Sequence, residues 1–216
     1  MGLSVAAEKA LKLPPPAMDA PATPAAARAT AVFAGGCFWG VQAVFQHTQG
    51  VLNAVSGYAG GEASTASYRK IGSGQTGHAE SVQITYDPRF VSYGKLLQIF
   101  FSVAHDPTTL NRQGPDSGTQ YRSAIFYQDS AQKELTEKYL AQIDAAKVFP
   151  SKVVTELKPL TGFYPAEAYH QNYAARNPRN PYIVRFDAPK VVNLKVLMPE
   201  VYRPQPVLVP NVDEKR

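Results

Sequence analysis

Cysteine is almost absent from this chain: its 216 residues contain one, Cys37. A lone thiol cannot close an intrachain disulfide, and it cannot supply the clustered thiolates of a structural zinc site. No metal site is expected. Long apolar runs are missing as well, so no segment approaches the length needed to span a bilayer. Lysines and arginines are scattered, without a basic run or an interleaved stacking motif. The net charge of +5 therefore reads as a mildly basic soluble surface, and no nucleic-acid partner is expected. No charged start leads into a continuous apolar stretch, which argues against a secretory signal. Position six is Ala6, not the Ser or Thr of a myristoylation site. A cytoplasmic protein is the expectation. An organelle form with a short transit segment stays open, though Glu8 and Asp19 interrupt it.

What is present suits one domain with tails. A hydrophobic fraction of 44% is enough for a core. The first 30 residues hold ten alanines and five prolines and read as a mobile or surface-hugging arm. Residues 31–202 read as a single catalytic domain, and 203–216 as an extended, Pro-rich tail. A monomer is the default expectation.

Along the chain, 31–35 reads as a strand, 38–47 as a helix ending before Gly50, and 51–58 as a second strand. A polar loop runs from Tyr68 to Gly77. Val82, Ile84 and Tyr86 alternate on one face of a strand over 80–86. Ser92 caps a helix whose apolar face is Leu96, Leu97, Phe100 and Val103. A long loop covers 105–121, followed by a strand over 122–127 and the longest helix over 130–147. A strand is expected at 153–157, a short helical piece at 166–173, an extended segment at 182–186, and a last helix opened by Pro189. This order predicts an α+β two-layer sandwich with a split βαβ (ferredoxin-like) core and long irregular loops, helices covering one face of a mostly antiparallel sheet.

Cys37 sits in Gly36-Cys37-Phe38-Trp39-Gly40, where a strand gives way to a helix whose apolar residues are Phe38, Trp39, Val41, Val44 and Phe45. A free cysteine is either a small core residue or a reactive thiol. At a strand-to-helix turn the thiol faces free backbone N–H groups and the positive end of the helix dipole, which is expected to lower its pKa. The Phe-Trp pair beside it makes sense as the wall of an apolar pocket.

Other patterns are decoys or rivals. Gly72 to Gly77 spells GxGxxG, but it leads into a strand instead of opening a helix, so a dinucleotide site is not expected. His78-Ala79-Glu80 starts like a zinc deaminase motif, yet the required P-C-x-x-C is missing. A cysteine–histidine hydrolase is a more serious rival, since His105-Asp106 could act as a base and its orienter. A peroxide-reducing thiol, a thiol sensor and a non-catalytic binding module are the remaining alternatives. Tyr68, Asp116 and Tyr121 lie in loops, where functional residues tend to sit.

Taken together, the segments GCFWG at 36–40, GYAGG at 57–61, SYR at 67–69, TGHAESV at 76–82, HDPT at 105–108 and NRQGPDSGTQYRSAI at 111–125 resemble the type A peptide methionine sulfoxide reductase family (MsrA). The resemblance runs from about Val32 to Tyr173, and more loosely to Tyr202. It implies the two-layer fold and reduction of methionine S-sulfoxide, free or in proteins, to methionine. It makes Cys37 the nucleophile and Glu80 the acid. Phe38 and Trp39 would hold the substrate methyl, Tyr68 and Tyr121 would help Glu80 hold the sulfoxide oxygen, and Asp116 would join the network behind them.

The chemistry wants such residues. A sulfoxide oxygen leaves only when protonated, so a thiolate must attack while an acid delivers a proton. A glutamic acid keeps its proton at neutral pH only where charge is disfavoured. The product is methionine and a sulfenic acid on Cys37. Many family members then form a disulfide with a resolving cysteine, which this chain does not contain. No cofactor is expected; an external thiol, either glutathione with glutaredoxin or a dithiol such as thioredoxin, would regenerate Cys37.

Overall fold

The computed structural model describes residues 10–20 and 28–210. The elements are β1 (Ala29–Gly35), α1 (Phe38–Gln46), β2 (Val51–Ala59), α2 (Tyr68–Ile71), β3 (Ala79–Tyr86), α3 (Tyr93–Ile99), β4 (Arg112–Gln113), β5 (Asp116–Ser117), β6 (Ser123–Tyr127), α4 (Ser130–Ala146), β7 (Glu156–Pro159), β8 (Phe163–Pro165), α5 (Tyr173–Arg176) and α6 (Ala188–Leu197). Six strands form one sheet in the order β7-β6-β1-β3-β2-β8, and β4 pairs with β5 in a separate two-stranded ribbon. Within the six-stranded sheet the β6–β7 pair is parallel and the other pairs are antiparallel.

The two faces of the sheet differ because side chains alternate along a strand. Ala31 and Phe33 of β1, with Val82 and Ile84 of β3, join Val44 and Phe45 of α1, Leu96 and Leu97 of α3, and Leu135 and Tyr139 of α4 in the main core. The other face carries mostly small residues, Val32, Ala34, Ala59, Ala79 and Ala124, with Phe126, and is packed by Leu160 and Phe163. The protein is thus α+β. Glu80 has the parity of Val82 and Ile84, so its carboxyl points toward the helix layer. It lies directly opposite Tyr58 of β2 in the strand register.

Capping follows sequence where the sequence supplies it. Ser92 Oγ accepts from Lys95 N–H at 3.0 Å to start α3. Asp129 Oδ1 accepts from Gln132 N–H at 2.8 Å to start α4, and Lys147 ends that helix in the left-handed region at φ 49°. The described part of the N-terminal arm lies against α3 and α4. Leu13 is buried, and its carbonyl accepts from Gln98 Nε2 at 2.6 Å. The Tyr139 hydroxyl donates to the Pro14 carbonyl at 2.8 Å. Residues 203–210 run past α1 without regular structure; Arg203 N–H donates to His47 O at 2.8 Å and Val207 N–H to Gln46 O at 2.9 Å.

Several local expectations change. The segment at 182–186 is not extended: Ile183–Asp187 forms a π-helical turn that runs into α6. Its β-branched and aromatic composition favours a strand, but Asn180 prevails. Asn180 accepts from Tyr182 N–H through its side chain and from Val184 N–H through its carbonyl, both at 2.9 Å, which starts a helical turn. The strand expected at 153–157 begins only at Glu156, because Val154 N–H is drawn to Pro107 O at 2.8 Å. The polar loop after Tyr68 opens with the helical turn α2, and α3 continues as a second π turn, Phe100–Ala104. Strand β8 and the β4–β5 ribbon are additions; each strand is two or three residues long, too short for a period to register.

Candidate active site

The site is built where β1 ends and α1 begins. Gly36 turns the chain at φ +85°, and any Cβ there would lie 2.4 Å from Gln113 Cβ. Only glycine fits such a turn in so little space. Cys37 follows as the residue preceding α1, and its own side chain makes no capping hydrogen bond to that helix. Gly40, one turn on, allows Asp187 to approach: a Cβ would lie 2.2 Å from Asp187 Oδ1.

Glu80 provides the anchor. It is 2% exposed, and its Oε2 accepts from Phe38 N–H, one residue beyond Cys37, at 3.0 Å. Burial pushes its pKa up to about 8, with the Phe38 N–H pulling it down and the charges of Asp116 and Asp187 adding to the rise. A carboxyl at this position holds its proton at neutral pH.

The sequence-based expectation for Cys37 is corrected. Its pKa is raised, first by burial and then by the charges of Glu80, Asp187 and Asp116, with only the Trp39 N–H lowering it. The turn does supply that backbone donor, but desolvation and three carboxylates outweigh it. Protonation of Glu80 removes one of these charges, so a neutral Glu80 and a thiolate on Cys37 favour each other.

The other candidate residues gather around this pair. Tyr68 opens α2 and is 39% exposed. Its backbone N–H donates to Glu167 Oε1 at 2.9 Å, while the other Glu167 oxygen accepts from Tyr58 OH at 2.7 Å. Tyr121 ends a short 3₁₀ turn and is half-buried. Both phenols have raised pKa values, first from burial and then from the Glu80 charge, with Cys37 and Asp116 contributing. Arg122 holds the Tyr121 loop to the start of β3, donating to Gly77 O at 2.9 Å, His78 O at 3.2 Å and Thr119 O at 2.9 Å. Asp116 accepts a short hydrogen bond from the Tyr182 hydroxyl. Its pKa is raised by burial, against the pull of Tyr182 and Lys190.

Phe38 and Trp39 diverge. Phe38 is buried, 6.0 Å from the Tyr58 ring and 5.0 Å from the His170 ring. Trp39 stacks on Tyr173 at 3.8 Å and meets Tyr182 edge-on at 5.9 Å. Its indole N–H donates to His170 Nδ1 at 3.2 Å, which fixes the ring plane. The result is a thiol and a protonated carboxyl among phenols and an aromatic wall, an arrangement suited to reducing a small polar oxide attached to an apolar group.

The family model for peptide methionine sulfoxide reductase matches residues 29–197. The chain belongs to the peptide methionine sulfoxide reductase family. A Mesorhizobium japonicum protein named peptide methionine sulfoxide reductase MsrA 2 is 58% identical over 192 residues, covering 89% of this chain and 97% of that one. A Synechocystis protein of the same name is 47% identical over 199 residues, covering 88% and 93%. Among solved structures, the reduced form of Mxr1 from Saccharomyces cerevisiae aligns with a TM-score of 0.64 at 35% identity, covering 73% of this chain and 90% of that one. Methionine sulfoxide reductase A of Corynebacterium diphtheriae aligns with a TM-score of 0.61 at 35% identity, covering 73% and 78%.

In this MsrA-type chain the rival His105–Asp106 pair finds no geometry. Asp106 Oδ1 accepts from Thr108, not from His105. His105 faces Ser123 Oγ at 2.7 Å, and burial pushes it down to about 3. His78 is held between Gly61 N–H and Glu62 O, and His47 meets Arg203 O. Gly77, the last glycine of GxGxxG, turns at φ +78° into β3 and opens no helix. Among the described residues, no group of three or more His, Cys, Asp or Glu is arranged to hold a metal, and no helix is long and apolar enough to cross a membrane.

Four site residues escape the sequence reading: Tyr182, Glu167, His170 and Tyr173. Tyr182 lies inside a segment whose composition reads as a strand. Glu167, His170 and Tyr173 stand in a short helical piece that buried amides fasten to α1 and β2. Gln171 Nε2 donates to Ser56 O at 2.8 Å, and Asn172 N–H donates to Gln42 Oε1 at 2.9 Å. The spacing of an acid, a histidine and a tyrosine along that piece is the available signal.

Proposed function

We propose that this chain reduces methionine S-sulfoxide, free or within proteins, to methionine. The observation that carries the reading is the Glu80 carboxyl, buried, holding its proton near neutral pH and hydrogen-bonded to the N–H beside Cys37. The Cys37 thiolate attacks the sulfoxide sulfur. Glu80 delivers a proton to the oxygen as the S–O bond breaks. The oxygen then bonds to Cys37 Sγ as the bond between the two sulfurs breaks; methionine leaves with that electron pair, and Cys37 is left as a sulfenic acid. Tyr68 and Tyr121 donate to the oxygen as its negative charge grows. Asp116, bonded to Tyr182, orders the network behind them.

Phe38 and Trp39 accept the methyl group, with sulfur–aromatic contact adding to the fit. With the methyl held there and the oxygen at Glu80, one epimer alone presents its sulfur to Cys37. The two epimers are served by separate enzymes. The four central strands β6-β1-β3-β2, with α1 and α3 between them in sequence, are read as the split βαβ core that sets Cys37 and Glu80 on adjoining elements.

With one cysteine in the chain, the sulfenic acid passes to an external thiol. Glutathione with glutaredoxin, or a dithiol protein such as thioredoxin, is the proposed reductant. A cytoplasmic monomer suits that chemistry, because the cytosol holds the reduced thiol pool. Separate S and R epimers of a methionine sulfoxide peptide, with excess dithiothreitol, provide the test. Turnover of S alone is expected. Turnover of neither would return the chain to a thiol-sensor or binding-module reading.

A further inference from the structure

Two cavities share wall residues, and the smaller reaches Cys37. The smaller, of about 20 Å³, touches the cysteine itself and is walled by Gln113, Asp116, Tyr182, Phe186 and Lys190; it has room for about one water. The larger, of about 510 Å³, is a cleft lined by Leu11 of the N-terminal arm, Phe101, Phe149, Phe186, Lys190 and Asn193, with Lys147 and Asp106 also on its wall. Phe186 and Lys190 belong to both walls. A second link crosses the partition: Gln113, on the small cavity, donates to Asp106 O at 2.5 Å and accepts from Asp106 N–H at 3.1 Å. None of Phe38, Trp39, Tyr68, Glu80 or Tyr121 lines either cavity.

We propose that this cleft binds the small thiol that regenerates Cys37, a monothiol of the glutathione class bearing free carboxylates, and admits its sulfur past Phe186. The inference rests on the reading of Cys37 as a thiol oxidised to sulfenic acid. Three observations select the occupant. The chain holds one cysteine, so the reductant comes from outside it. The cleft volume suits a ligand of a few hundred daltons and is too confined for a folded protein. Its walls combine aromatic and aliphatic carbon with the exposed Lys147 at the end of α4, which complements a carboxylate.

The direction of approach also follows from the chemistry. The incoming thiolate attacks Cys37 Sγ in line with the departing oxygen. The oxygen leaves on the side where Glu80 and the phenols hold it, so the sulfur enters from the side they do not line. In the first step a thiolate sulfur bonds to Cys37 Sγ, the S–O bond breaks, and the oxygen leaves as water after taking a proton. In the second, another thiolate attacks the small-molecule sulfur of the mixed disulfide and releases the Cys37 thiolate. Two thiols are oxidised to one disulfide, and the cysteine sulfur is reduced by two electrons.

The test uses the full chain, a methionine S-sulfoxide peptide, and glutathione alone as reductant. Saturation with glutathione is expected. Asn193→Trp, which fills the cleft, is expected to raise the glutathione KM about tenfold. The single-turnover burst of methionine and the turnover supported by dithiothreitol, which has no carboxylate, should stay within about twofold. Lys147→Glu, on the exposed rim, should raise the same KM about fivefold, with the effect shrinking in high salt. A glutathione rate that rises linearly without saturation overturns the inference, as does a KM unchanged in both variants. Should Asn193→Trp fail to fold, the Lys147→Glu result decides alone. Absence of the burst in the unaltered chain would instead remove the sulfenic acid reading on which the inference stands.

Discussion

Replacing Glu80 by Gln is expected to make the protein more stable and less active at once, with the stability gain growing with pH. Burial raises the Glu80 pKa from 4.5 to about 8. A folded-state pKa above the unfolded one means that the folded chain keeps a proton the unfolded chain sheds. The stability tied to that proton is fully present below about pH 4.5 and is lost progressively as pH rises through about 8. Each pH unit inside this window removes about 1.4 kcal/mol, which comes to about 3 kcal/mol at pH 7 and about 5 kcal/mol above pH 8. The amide in Glu80→Gln has no acidic proton to lose, and its oxygen can still accept from Phe38 N–H. The variant should therefore match the parent near pH 4 and exceed it by about 3 kcal/mol at pH 7. For a chain of this size that is roughly 6–12 °C in melting temperature. Urea unfolding at pH 4, 7 and 9 measures the difference directly. The same variant should slow the sulfenate-forming step by about 10²-fold or more, the usual worth of a general acid. A stability gain that is equal at all three pH values, or no gain at pH 9, would refute the account of Glu80 as a buried acid that holds its proton.

Three further outcomes are expected. Cys37→Ser should abolish formation of methionine while leaving the circular dichroism spectrum and melting transition close to those of the parent; residual turnover would exclude the thiol mechanism. Tyr182→Phe removes the donor to Asp116 but keeps the edge contact with Trp39, so it should destabilise the fold by about 1.5 kcal/mol or more and slow the first half-reaction with little change in the sulfoxide KM, as measured by single-turnover product release. Leu13→Ala empties the buried position by which the arm is anchored and should destabilise by about 2–5 kcal/mol; its sulfenate-forming rate should stay unchanged, and a large loss there would tie the arm to the chemistry.

The strand and helix around Cys37 are legible in the sequence because the signals there are strong and local. Two glycines precede the cysteine, apolar residues recur at helical spacing after it, and Val82, Ile84 and Tyr86 alternate cleanly. The parity that buries those three also buries Glu80, so the raised acid can be argued before any distance is known. Tyr182 is misread for the opposite reason. A run of Tyr, Ile, Val and Phe satisfies a strand on propensity, while the choice is made by one asparagine side chain and by packing against α1, far away in sequence. The thiol fails in a different way. The backbone donors at the turn are local and legible, but Asp187 and Asp116, two of the charges that oppose them, arrive from distant segments. Electrostatic sums of that kind are properties of the assembled molecule.

Trp39 is the one tryptophan in the chain. Its ring lies flat against Tyr173, its nitrogen is tied to His170, and it is the second residue after the reactive sulfur. All indole emission from this protein therefore originates beside the site of chemistry, from a fluorophore with a fixed orientation and fixed aromatic neighbours. The active site is its own optical probe: oxidation of Cys37, arrival of a substrate methyl, or loss of the proton on Glu80 each alters the surroundings of that one ring, and can be timed by stopped flow without any label.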